Sequence, residues 1–149
     1  DKYDPCCCTP LFDAIGKTVK KIKKDTKDIE DAAVLVTIIT DGYENSSKEW
    51  TGPMVKKLID ECKEDGWMFS FIGAGEDVVK VATTISISNT VVWEQTSEGT
   101  AAMFENENQA RNRFYDKMAA PCCGAPMSLE ERKAMKRRLS EEYYDKDKK

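Results

Sequence analysis

A strand-like run that ends on an acid is where this chain is best equipped for chemistry. Residues Val34 to Gly42 read Val-Leu-Val-Thr-Ile-Ile-Thr-Asp-Gly, a nearly unbroken apolar, β-branched stretch closed by Asp41 and Gly42. Such a run predicts a strand buried on both faces of a parallel sheet. Ligands of open α/β sheets gather beyond the carboxyl ends of the strands, so the Asp41 carboxylate is placed to meet one. Cysteines form a second group. Cys6-Cys7-Cys8 and Cys122-Cys123 each follow a proline, which marks them as loop residues. The chain has no histidine and no Cys-x-x-Cys spacing, and adjacent thiols seldom reach one tetrahedral ion together. Reduced thiols in a cytoplasmic protein are the favoured reading, with a zinc site joining the clusters, or disulfides between them, as alternatives. Cys62 keeps helical spacing with apolar neighbours and is assigned to the core.

Gly73-Ala74-Gly75-Glu76-Asp77-Val78 echoes a dinucleotide-binding turn, but Val78 fills the third small position, where bulk pushes helix from strand, and the turn does not follow the first strand. Without histidine the usual general base is missing, and no Gly-x-Ser-x-Gly elbow occurs. An enzyme is therefore not expected.

The elements that must hold Asp41 follow from periodicity. Thr9-Pro10 opens a first helix, with Thr9 as N-cap and Leu11, Ile15, Val19 and Ile22 on one face to about Lys24. After the strand and a polar loop to Lys48, Thr51 and Pro53 start a second helix bearing Met54, Val55, Leu58, Ile59 and Cys62, stopped by Gly66. Trp67 to Ile72 is a second strand, Asp77 to Thr84 a short helix, and Thr90 to Trp93 a third strand. A helix from about Glu98 to Lys117 carries Ala101, Ala102, Phe104 and Phe114, with Asn and Glu outward. This order implies parallel strands joined by right-handed crossovers. The fold class is α/β, a Rossmann-like three-layer αβα arrangement with a mainly parallel, incomplete sheet of about three strands.

Ala119 to Pro126, rich in proline and containing Gly124, divides residues 1–118 from a linker and tail at 119–149. Ser128-Leu129-Glu130-Glu131 is a capping box for a C-terminal helix to about Tyr143. With only Leu129, Met135, Leu139 and Tyr143 to bury, that helix is expected to be mobile or to sit on a partner.

Composition excludes other classes. The 149 residues carry 40% apolar side chains and a net charge of −4, which fits one globular domain and argues against nucleic acid. Lysines cluster from Lys17 to Lys27, but Asp25, Asp28, Glu30 and Asp31 interleave and follow them, as on a solvated helix face. No apolar run approaches the roughly 20 residues of a membrane span, and no secretory signal opens the chain. The start at Asp1 suggests a processed product or a fragment.

Two stretches together carry a family likeness: Cys8-Thr9-Pro10-Leu11-Phe12-Asp13-Ala14-Ile15-Gly16 and Thr40-Asp41-Gly42-Tyr43-Glu44-Asn45. They resemble the von Willebrand factor A domain, in particular a microbial group, and the likeness continues through Gly66-Trp67 to Gly99-Thr100. It covers the carboxyl-terminal half of that domain. The resemblance implies a protein-interaction module whose Mg²⁺ or Mn²⁺ sits at the carboxyl ends of the strands, with Thr9 and Asp41 as the ligands that match. Gly42, Glu44, Asn45 and Gly73 would frame the partner-binding face. The family's Asp-x-Ser-x-Ser is absent, and so are the strands that precede Thr9. A protein partner or a second copy is then expected to complete the sheet. The alternative is a metal-independent structural or assembly subunit that keeps the fold without the ion.

Overall fold

The computed structural model describes residues 8–119 and 127–144. The described residues form three strands and five helices, in the order α1 (Leu11–Thr26), β1 (Leu35–Thr40), α2 (Gly52–Glu64), β2 (Met68–Gly73), α3 (Glu76–Thr84), β3 (Asn89–Val92), α4 (Ser97–Ala119) and α5 (Leu129–Glu141). The strands form one parallel sheet in the order β1-β2-β3. Leu35 pairs with Met68 and Thr40 with Gly73, while Ser70 pairs with Asn89 and Gly73 with Val92. The layout is α/β and Rossmann-like. No helix among the described residues is long and apolar enough to cross a membrane.

Alternation along β2 builds the layers, because successive strand side chains point to opposite faces. Phe69 and Phe71 enter a core with Leu11, Ile15 and Val19 of α1, Val55, Ile59 and Cys62 of α2, and Val78 and Ala82 of α3. Met68 points the other way, to Ala110 and Phe114 of α4 and to Tyr143 just after α5. Every β2 residue is buried, and each phenylalanine so placed contributes about 1.5–3 kcal/mol. Helices α1, α2 and α3 thus cover one face, and α4 with α5 the other.

Several expectations are revised. Thr9 is not the N-cap of α1: Pro10 holds that position without a side-chain cap, since the loop after β1 folds back and serves the first amides instead. On α4, Ala101, Ala102 and Phe104 face solvent. Phe114 is buried as expected, and the rest of the inward stripe is Met103, Glu107 and Ala110. The C-terminal helix is packed, not loose. Its capping box forms as expected, with Ser128 and Glu131 exchanging hydrogen bonds. Leu129 stays 45% exposed, however, and the buried residues are Lys136 and Tyr143. The stop at Gly66, with φ of +84°, is as expected. A Cβ there would also sit 3.1 Å from the Lys136 side chain, so glycine admits α5 as well. Residues Cys6, Cys7, Cys122, Cys123 and the prolines of the linker lie outside the described residues.

Candidate functional site

At the end of β1 the chain turns sharply on its own hydroxyl. Thr40 Oγ1 accepts from the Gly42 amide at 3.2 Å and donates to the Gly42 carbonyl at 3.0 Å, a side-chain turn typical of threonine. Asp41 is left exposed at its tip. A Cβ on Gly42 would lie 2.8 Å from Thr9 Oγ1, so the Thr9 hydroxyl rests against this turn and only glycine admits it. Thr9 is held there from both sides of its peptide group. Its amide donates to Asn45 Oδ1 at 2.8 Å, and its carbonyl accepts from the Asn45 amide at 3.2 Å. The structure therefore brings Thr9, Asp41, Gly42 and Asn45 together at the carboxyl end of the sheet.

Two neighbouring carboxylates are spent on the backbone. Glu44 accepts from the Phe12 amide at 2.7 Å, from the Ser46 and Ser47 amides at 3.0 and 2.8 Å, and from the Ser47 hydroxyl at 2.6 Å. Asp13 reciprocates from α1, accepting from the amides of Lys48, Glu49 and Trp50 at 2.8–3.0 Å. Ser47 Oγ completes the clasp by accepting from the Asp13 amide at 3.0 Å. Partial burial pushes the Glu44 carboxyl up, but the Ser47 hydroxyl and three amides outweigh it, and its pKa is lowered. The Asp13 carboxyl is lowered mainly by the Lys48 amide. The Trp50 indole lies on Gly16, where any Cβ would collide with it. Thus Glu44, read from sequence as part of a binding face, seals the amino terminus of α1. Asp13 went unassigned, although its place one turn into a helix is where a carboxylate favours the dipole.

Gly73 sits at the end of β2, where a Cβ would meet Val78 and Val79 at 3.0 Å. Its small size lets α3 approach the strand, and its carbonyl accepts from the Trp93 and Gly75 amides. Val78 is buried in the core. The Cys62 thiol is buried too, and burial raises its pKa to about 11; Cys8 is exposed. Among the described residues, no group of three or more acidic or cysteine side chains could hold a metal ion.

A second polar centre, invisible to sequence reasoning, lies between the sheet and its α4–α5 layer. Glu107, 2% exposed, accepts from Thr37 Oγ1 at 2.6 Å, Tyr143 Oη at 2.9 Å, Tyr144 Oη at 2.6 Å and an Arg111 guanidinium nitrogen at 3.2 Å. Burial first, and the adjacent carboxylate with it, raises the pKa of both tyrosines, so each stays a donor. Nearby, Lys136 Nζ donates to Asp31 Oδ1 at 2.6 Å and to the Asp31 and Ala32 carbonyls at 3.1 and 3.0 Å. Arg132 binds the other Asp31 oxygen at 2.6 Å. Burial pushes the Asp31 carboxyl up, but these two cations prevail and lower it.

No protein-family model matches the chain, and no curated protein or solved structure matches it either. Chemically, the Thr9–Asp41 corner offers a hydroxyl and a carboxylate, both hard oxygen donors, at an open surface.

Proposed function

We propose that this chain is a protein-interaction module of von Willebrand factor A type, with its ligand face at the carboxyl end of the sheet. The observation that supports the reading is the contact of the Thr-Pro loop with the Asp-Gly turn, which sets the Thr9 hydroxyl against Gly42 beside Asp41. Thr9 and Asp41 are the residues that would hold Mg²⁺ or Mn²⁺, and a bound ion would offer an open position to an acidic group of the partner. Mg²⁺ prefers six oxygens and sheds water reluctantly. Two protein donors fit an ion that keeps most of its hydration shell, since the Glu44 and Asp13 carboxylates already accept three or four hydrogen bonds each. Asn45 and Glu44 serve the face by fixing its loop, and Gly42 and Gly73 by admitting close neighbours.

The partner is a protein or a second copy, neither nucleic acid nor membrane, and the setting is cytoplasmic. Among the described residues the outer edge of β1 has no neighbouring strand. Its six residues carry no charge, and Ile39 is 45% exposed. Open, uncharged edges are rarely tolerated. A metal-independent assembly subunit is the second reading, favoured by the use of Glu44 and Asn45 in internal hydrogen bonds. Calorimetric titration with Mg²⁺ separates the two: the first expects a Kd of about millimolar, abolished in Asp41→Ala. No heat from an Asp41-dependent site would leave the assembly subunit. Sedimentation showing a stable, monodisperse monomer would contradict completion of the sheet by a second copy.

A further inference from the structure

We infer that the cleft between the end of α1 and the start of α5, at the opposite end of the sheet from Asp41, binds a small organic anion with an apolar body. The cleft encloses about 370 Å³, within the roughly 300–1,000 Å³ of small-molecule sites. Its apolar wall is made by Ile29, 58% exposed, and Leu129, 45% exposed, with Trp67 behind them.

Its charge selects the ligand. Four lysines line the cleft against two aspartates, in a chain whose net charge is −4. Lys136 is matched to Asp31 at 2.6 Å and gives its remaining protons to backbone carbonyls. The other three are held loosely. Lys23 is 3.4 Å from Glu61, Lys27 is 3.8 Å from Asp28, and Lys133 is shared between Asp65 at 3.4 Å and Glu130 at 3.6 Å. Lys17 and Glu49, by contrast, close to 2.6 Å. Long, flexible ammonium groups in such loose pairs can turn to a carboxylate, sulfonate or phosphate in the cleft. One wall comes from the α1–β1 connection and the other from α5, so the site exists only while α5 is seated.

The test uses the full chain, labelled with ¹⁵N and titrated with 1-anilinonaphthalene-8-sulfonate. The expected result is a saturable shift of the Trp67 indole N–H, with those of Trp50 and Trp93 fixed. Lys27→Gln with Lys133→Gln should weaken binding roughly fivefold, and Lys20→Gln should not. The uncharged N-phenyl-1-naphthylamine should bind the natural chain roughly fivefold less tightly, a comparison that stands even where the double variant fails to fold. Equal affinity for the two probes, a response at Trp50 or Trp93 in place of Trp67, or an unaffected folded double variant would overturn the inference.

Discussion

The loop at the carboxyl end of the sheet and the face under α5 both depend on carboxylates that collect several donors, yet they hold different things. Asp13 and Glu44 accept chiefly from backbone amides, and so fix the path of a loop against a helix terminus. Glu107 and Asp31 accept chiefly from side chains, and so fix a whole helix against a sheet. Amides cannot be mutated away; tyrosines and lysines can. The loop should therefore lose stability in small steps, whereas single substitutions should unseat α5.

The largest effect is expected at Tyr143, whose ring packs edge-on to Phe114 at 6.1 Å and to Tyr144 at 4.9 Å. Tyr143→Ala should cost about 3–5 kcal/mol in urea denaturation. Tyr143→Phe should cost about 1 kcal/mol, since Glu107 keeps three other donors. If both variants unfold like the natural chain, α5 lies outside the cooperative unit and the contrast fails.

Next comes Lys136, which is 1% exposed. Lys136→Ala strands a carboxylate that is itself only partly buried and still bound by Arg132, so a loss of about 2–3 kcal/mol is expected. Lys136→Met, which keeps the stem against Gly66, should cost less. Amide exchange in α5 would register the difference, and equal protection in both variants would count against the pair as the holding element.

The loop is expected to respond more weakly and through pH. Glu44 and Asp13 titrate below their ordinary values of 4.5 and 3.8 in the folded chain, as does Asp31 under α5. As pH falls, the unfolded chain therefore takes up protons first. Their contribution is complete above about pH 5 and disappears as pH drops through the folded values. Glu44→Gln should remove about 1 kcal/mol at neutral pH and flatten that acid slope. An unchanged slope would mean that the clasp does not set acid stability. The smallest effect belongs to Asp41, exposed at its turn: Asp41→Ala should leave stability within about 0.5 kcal/mol.

The same contrast explains what the sequence disclosed. β2 and α2 were legible because their apolar residues mark their elements; the apolar run from Val34 also marked β1, Leu35–Thr40, but not its burial, since only Ile38 and Thr40 are buried and Ile39 is exposed in a strand that, among the described residues, ends the sheet. That Asp41 ends its strand was legible from the run before it, and the structure adds the Thr9 hydroxyl set against Gly42 beside it. Glu107 was not, because a glutamate among asparagines in a mostly polar helix looks solvated. Its burial is decided by Thr37 and Tyr143, 70 and 36 residues away. Lys136 was hidden for the same reason: its acceptors lie in the turn before β1, and no local pattern announces them.

Asp31 gives the molecule a clock. It holds a left-handed backbone at φ +58°, uncommon for a residue with a side chain. The cations that bind its carboxylate, Arg132 and Lys136, follow it by 101 and 105 residues. A chain made from its amino terminus can lay β1 beside β2 long before either cation exists. Distant contacts of this kind slow folding, because a large loop must close before they repay it. The turn that leads into β1 is thus made 101 residues before the first of the cations that lock it.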